Sequence, residues 1–172
     1  SPMAEPQRVG PGFAPVAGPE SRALILGSFP SVKSREVGFY YGHPQNRFWP
    51  LLAALLQKPV PQTTAQKQQL ILQNGLALWD TVCCCTITGA SDASIRDVQP
   101  NDIAKLCQTY PITKIFCNGA ASWRVYQKYA WPQTRIPAVK LPSTSPANAA
   151  WGMEKLQKVW GEALKDCCEN KL

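Results

Sequence analysis

The chain has 172 residues, 45% of them apolar and 17% charged, which is enough for one ordinary domain with a sizeable core and excludes global disorder. No apolar run approaches the roughly eighteen residues of a membrane span, and the N-terminus lacks a secretory-signal pattern, so no membrane association and an intracellular setting are expected. Eighteen Lys and Arg against 11 Asp and Glu give a net charge of +7, which favours a polyanionic partner over a merely solvated basic face.

In chain order, residues 1–20 contain five of the 16 prolines and no periodic apolar pattern, and read as a flexible Pro/Gly-rich tail, with Ser1-Pro2 resembling a cloning remnant. Residues 21–172 read as a single domain. Ala23 to Leu26 is a continuous apolar run ending at Gly27, the pattern of a strand buried on both faces. A long loop, 28–46, follows; it is dense in Gly, Pro, Ser and aromatics, and loops this long inside a domain are usually functional. Phe48, Leu51, Leu52, Leu55 and Leu56 recur at helical spacing over 47–56, and a more polar helix is expected over 64–73. Residues 75–82 read as a strand and 83–100 as a polar loop. Asn101 is placed to cap a helix through 108, with Asp102 in its first turn. Strands at 114–117 and 136–141, helices at 120–129 and 153–168, and a loop at 142–152 complete the pattern.

Four short strands alternating with helices imply right-handed crossovers, hence a three-layer α/β/α sandwich with a central four-stranded parallel sheet. Ligands of such sheets sit beyond the carboxyl ends of the strands, so loops 28–46, 83–100, 118–120 and 142–152 should share one rim. The seven cysteines are odd in number and include the runs 83–85 and 167–168, and His43 is the only histidine. With no C-x-x-C pair, that usage points to a reducing compartment and to cysteines as small buried hydrophobes, with no metal and no cofactor expected. The 27–49 region is neither a dinucleotide fingerprint nor a phosphate loop, and 89–93 lacks the final glycine of a nucleophile elbow, leaving a serine hydrolase built on His43 remote. What 27–49 offers is an aromatic face, glycines that permit close backbone approach, and an amide opening a helix. Those parts suit a planar heterocycle.

The run G-S-F-P-S at 27–31, followed by Y-Y-G-H-P-Q-N-R-F-W at 40–49, resembles the first motif of the uracil-DNA glycosylase superfamily. Together with S-D-A-S-I-R-D-V-Q-P-N-D-I at 91–103 and L-P-S-T-S-P-A-N at 141–148, it looks most like the hypoxanthine (deoxyinosine) branch. The resemblance implies a monofunctional glycosylase that flips out and excises hypoxanthine, with uracil a further substrate, from double-stranded DNA containing deaminated bases, acting as a monomer. A mismatch-type uracil glycosylase and an inactive DNA-binding relative are the alternatives. In the mismatch-specific branch an asparagine of the first motif positions the attacking water; here that position is Phe29, which cannot. The hypoxanthine branch places its catalytic amide at the position of Asn46, for which helix capping is the competing role. By the same resemblance Tyr41 stacks on the flipped base, with Tyr40 the buried member of the pair, and Gly27, Ser28, Phe29 and Gly42 lie against base and sugar. His43, Ser143, Thr144, Ser145 and Asn148 are expected at the DNA, through phosphate contacts for which small hydroxyls are suited. Turn chemistry is the alternative for the serines, and loop bracing for His43. Lys33 is the only lysine near the motif, which disfavours a strand-cleaving lyase.

Overall fold

The strand Ala23–Gly27 (β2) is buried at every residue, and the sheet forms around it. In a computed structural model that describes residues 4–167, with the Asp92 side chain left out, β2 pairs in parallel with Leu76–Asp80 (β3) and with Lys114–Asn118 (β6). β6 in turn pairs in parallel with Ala138–Leu141 (β7), giving the order β3-β2-β6-β7. The two faces of each strand enter different cores, as a period of two demands. Ile25, Leu76, Leu78 and Phe116 pack with helices α2 (Phe48–Leu56), α3 (Thr64–Leu72) and α7 (Met153–Leu164). Leu24, Leu26, Ala77, Ile115 and Cys117 face α4 (Ile103–Thr109) and the helix that begins with α5 (Ala120–Val125). The α/β/α sandwich read from the sequence is therefore the observed fold.

The helices start and stop where side chains satisfy their end groups. Thr63 and Gln66 form a reciprocal capping box on α3. The cap of α4 is Asp102, which accepts from the Lys105 N–H, rather than Asn101. Asn101 instead donates from its amide to the Asp80 carbonyl at 2.9 Å, tying the start of α4 to the end of β3. The helix expected over 120–129 runs on through a π-helical turn, Tyr126–Ala130, to Trp131–Thr134 (α6). The last helix ends at Leu164, and Cys168, the last residue of the expected helix, lies outside the described residues.

Two regions depart from the sequence reading. Residues 83–100 are not a loop: β4 (Val82–Thr88) and β5 (Arg96–Pro100) pair antiparallel as part of a second sheet, whose inward residues Cys85 and Ile87 cover Phe29. The third strand of that sheet is β1 (Pro6–Val9), which pairs with β4. Described residues of the expected flexible tail are thus part of the domain. Val16 exchanges two backbone hydrogen bonds with Leu78, both at 2.9 Å, and is 7% exposed. The Ala14 and Phe13 carbonyls accept from the Tyr40 hydroxyl and the Trp79 indole. These contacts were invisible to periodicity because single apolar residues, not a face, anchor the segment.

Removing residues 1–18 should therefore lower stability by at least about 2 kcal/mol, since burying one valine side chain is worth about 1.5–3 kcal/mol. Denaturant unfolding of the shortened and full chains measures this, and an unchanged midpoint would restore the flexible-tail reading.

Candidate functional site

Parallel pairing in register brings Gly27 opposite Asp80 and Asn118 opposite Leu141, so four strand ends share one rim. A cavity of about 100 Å³ opens there. Its wall includes Gly27 to Ser31 from the loop after β2, Asp80 from β3, Asn118 from β6, and Ser143 to Ser145 from the loop after β7; Ser34, Tyr40, Tyr41 and Asn46 complete it. Gly27 is required by close approach: a Cβ there would lie 2.5 Å from Asp80 Oδ1 and 3.1 Å from the Tyr41 hydroxyl oxygen.

Tyr40 and Tyr41 divide as neighbouring side chains should. Both border the cavity, but Tyr40 is 2% exposed and its ring belongs to the core, whereas Tyr41 is half-buried. The Tyr41 ring is stacked on Phe48 with centroids 4.1 Å apart, and its backbone holds a left-handed φ of 55°, uncommon for so bulky a residue. Burial, and after it the Asp80 carboxylate, push the Tyr41 phenol well above its ordinary pKa, so the ring stays neutral at any physiological pH. Phe29 lends its backbone to the wall while its side chain packs on Val82, Cys85 and Ile87, with the Arg35 guanidinium 5.4 Å from the ring centroid. No amide occupies that position.

Asn46 reaches the cavity already engaged. Its Oδ1 accepts from the Phe48 N–H at 2.9 Å, in a turn one residue ahead of Arg47, the N-cap of α2, and from the Thr144 hydroxyl at 2.8 Å. Thr144 is fully buried. Its hydroxyl also accepts from the Asn118 amide at 3.0 Å, and its N–H donates to Asn118 Oδ1 at 3.0 Å. The Thr144 side chain, expected at the DNA, is an internal brace here, its hydroxyl committed to Asn118 and Asn46.

Arg47 holds the loop after β7 in place, and the sequence reading passed over it. Its guanidinium donates to the carbonyls of Thr144 (3.1 Å), Ser145 (2.9 Å), Asn148 (3.2 Å) and Trp151. Its backbone N–H adds a second bond to Thr144 O. Asp80 was likewise missed: it is 4% exposed, at the end of a strand read only as core, and no local pattern marks it. Asn118 was read as a loop residue and its role depends on a partner 26 positions away.

The remaining expected residues separate by position. Gly42 does not line the cavity; it sits behind it, where a Cβ would meet Val37 at 2.9 Å, and its N–H donates to Ser34 Oγ. His43 also stands outside, its Nδ1 accepting from the Gln45 N–H at 3.0 Å, which leaves Nε2 to face outward. Asn148 braces the loop through Ser143 O. Ser143 and Ser145 each accept a backbone N–H two residues on, so both make turns, yet each keeps its hydroxyl proton to donate. Both also border an open groove of about 540 Å³ on the outer side of the loop, with Lys140 and Trp151 on its wall. There Lys140 covers Trp123 and Lys155 covers Trp151, with nitrogen-to-centroid distances of 5.1 and 4.9 Å. Among the described residues no helix is long and apolar enough to cross a membrane.

Comparison with known proteins fits this geometry. A profile described as "Uracil DNA glycosylase superfamily" matches residues 14–166. A protein of Methanosarcina barkeri named hypoxanthine DNA glycosylase is 30% identical over 158 residues, covering 90% of this chain and 97% of its own. A protein of the same name from Methanosarcina acetivorans is 31% identical over 141 residues, covering 80% and 87%. A solution NMR structure from Methanosarcina acetivorans, described as that of a candidate uracil DNA glycosylase, superposes with a TM-score of 0.80 at 26% identity, over 94% of this chain and 99% of that one.

Replacing Arg47 with lysine keeps the charge but loses the planar fork, so at most a few of the four loop carbonyls retain a donor. With hydrogen bonds to charged groups worth about 1.5–3 kcal/mol each, Arg47→Lys should cost at least about 2 kcal/mol. It should also speed amide exchange at 144–151, read by hydrogen exchange; wild-type protection there would show that the guanidinium is dispensable.

Proposed function

Because the chain belongs to the uracil DNA glycosylase superfamily, we propose that it is a monofunctional DNA glycosylase that flips hypoxanthine out of deoxyinosine-containing duplexes and excises it. The observation that carries this reading is the cavity at the strand ends, where a supported aromatic ring, a buried carboxylate and a fixed amide converge on a small space. The names of the two curated relatives support the purine substrate. Uracil is the second substrate to test, favoured by the description of the NMR structure.

The N-glycosidic bond is inaccessible inside the base stack, so the nucleotide has to leave it, at a cost of a few kcal/mol that is least at a mispaired deaminated base. Tyr41 is suited to receive it: a half-buried ring held by Phe48 offers a stacking surface whose position is set before the base arrives. Asp80, an acceptor on the cavity wall, suits the ring N–H that deamination creates, and an unmodified adenine or cytosine presents a lone pair at that position. Asn46 is the amide that acts at the reacting nucleotide. On the outer face, Ser143 and Ser145 retain donors for backbone oxygens. Lys140 on the groove wall, and Lys155 held on the groove residue Trp151, add positive charge beside the cavity. The net charge of +7 acts in the same direction.

The test is single-turnover excision on duplexes carrying one deoxyinosine or one deoxyuridine, followed by alkaline cleavage of the abasic product. Cleavage at inosine is expected; cleavage at uracil alone would move the chain to the uracil reading, and binding without cleavage of either would make it an inactive relative. Tyr41→Ala should slow excision at inosine at least about tenfold, given stacking worth about 1–3 kcal/mol per base. Tyr41→Phe should remain within about threefold because the ring face survives. Equal damage by both changes would assign the effect to the hydroxyl and remove Tyr41 as a stacking platform.

A further inference from the structure

We propose that Thr144 is a positioning residue that fixes the Asn46 amide with its NH₂ end toward the bound nucleotide, so that Asn46 serves as a hydrogen-bond donor to the departing base. The inference rests on the reading of Asn46 as the amide of a glycosylase site and adds which end of it acts.

The polarity of the chain Asn118–Thr144–Asn46 follows from two backbone N–H groups, which can only donate. The Thr144 N–H donates to the Asn118 side chain at 3.0 Å, so the atom it meets is Oδ1 and the amide nitrogen of Asn118 is turned to the Thr144 hydroxyl. That hydroxyl therefore accepts from Asn118, and its single proton is left for Asn46 Oδ1 at 2.8 Å. At the other end the Phe48 N–H donates to the Asn46 side chain at 2.9 Å, which again identifies that atom as the oxygen. Both lone pairs of Asn46 Oδ1 are thereby filled. Its Nδ2 makes no hydrogen bond among the described residues, and Asn46 lines the cavity.

An amide in this state is not free to take a hydrogen bond from water. What it can offer is an N–H. When the bond between C1′ and the base breaks, the electron pair leaves with the base and spreads over its carbonyl oxygen and ring nitrogens. A fixed donor there strengthens as the charge grows, the condition for stabilising a transition state rather than a bound substrate. Water then adds its oxygen to C1′ and releases its proton to solvent. Asn46 gives and takes no proton in this sequence. Thr144 is buried and its hydroxyl is committed to Asn118 and Asn46, so its effect on the chemistry passes through those two amides, and the Asn46 variants isolate the share that belongs to Asn46.

The experiment compares Asn46→Ala, Asn46→Asp, Thr144→Val and Thr144→Ser with the wild type. Each is measured for single-turnover excision from an inosine duplex at saturating enzyme, for Kd on the same duplex, and for thermal unfolding. An aspartate at 46 still accepts from Phe48 and Thr144 but carries no N–H. Asn46→Asp should therefore unfold like the wild type yet lose at least about tenfold in rate, as Asn46→Ala does. Thr144→Val should lose at least about tenfold in rate with Kd unchanged within about twofold, and Thr144→Ser, which restores the hydroxyl, should recover to within about threefold. An inactive Asn46→Ala beside a fully active Asn46→Asp would overturn the donor assignment, because the oxygen would then be the working end. A fully active Thr144→Val would overturn the positioning role. A fully active Asn46→Ala would instead remove the underlying reading of Asn46 itself, so the two failures are told apart. If Thr144→Val does not fold, the serine and aspartate variants still decide: a Thr144→Ser that folds but loses rate as Asn46→Ala does would overturn the positioning role.

Discussion

The grip of one guanidinium on four backbone carbonyls sets the geometry of the whole site. Residues 142–152 leave β7 without any regular structure, and a buried or half-buried carbonyl lacking a donor costs free energy comparable to a lost hydrogen bond. Arg47 supplies those donors from the start of α2. It thereby joins two loops that lie about a hundred residues apart in the chain, bringing Thr144 against Asn46 and Ser143 and Ser145 to the cavity wall. The cation has no carboxylate partner among the described residues and is compensated by carbonyl dipoles.

What the sequence made legible follows from the physics of each element. β2 was legible because strands buried on both faces are unbroken apolar runs, and α2 because Phe48, Leu51, Leu52 and Leu56 form one buried face. The Tyr40 and Tyr41 division was legible because adjacent residues diverge. β1, β4 and β5 were not, because an antiparallel sheet with a solvated face and a proline at two of its strand ends reads as loop composition. Asp80, Asn118 and Arg47 were hidden for a different reason: each acts through a partner remote in sequence, and no spacing rule reports such a contact.

Several residues expected at the base or DNA also brace their own loops, for one cause. Thr144, Asn148, Gly42 and His43 belong to polar, turn-rich loops, and such composition suits phosphate contact and self-bracing equally. In the fold the loop satisfies its own backbone first: Thr144 serves Asn118 and Asn46, Asn148 serves Ser143, His43 serves Gln45, and Gly42 serves Ser34. Only hydroxyls that can accept internally and still donate outward, those of Ser143 and Ser145, remain suited to both tasks. A loop that contacts DNA without regular structure must be rigid before binding, since ordering it on binding would subtract from affinity.

At Asn46, holding the start of a helix and acting at a bound nucleotide are compatible roles, because they use different ends of the amide. A cap uses the side-chain oxygen alone, and the amide's two ends are chemically opposite. Once the oxygen is committed to Phe48 and Thr144, rotation about the terminal torsion is stopped and the NH₂ group has a defined direction. Helix N-termini accept Asn, Asp and Ser with nearly equal stability, so stability alone places little constraint on the choice among them at position 46. Of the three, only asparagine accepts these bonds with an oxygen and also carries nitrogen-bound protons. The turn at the start of α2 and the bond to Thr144 are the devices by which the amide acquires a fixed polarity, and any chemical role of Asn46 would depend on them.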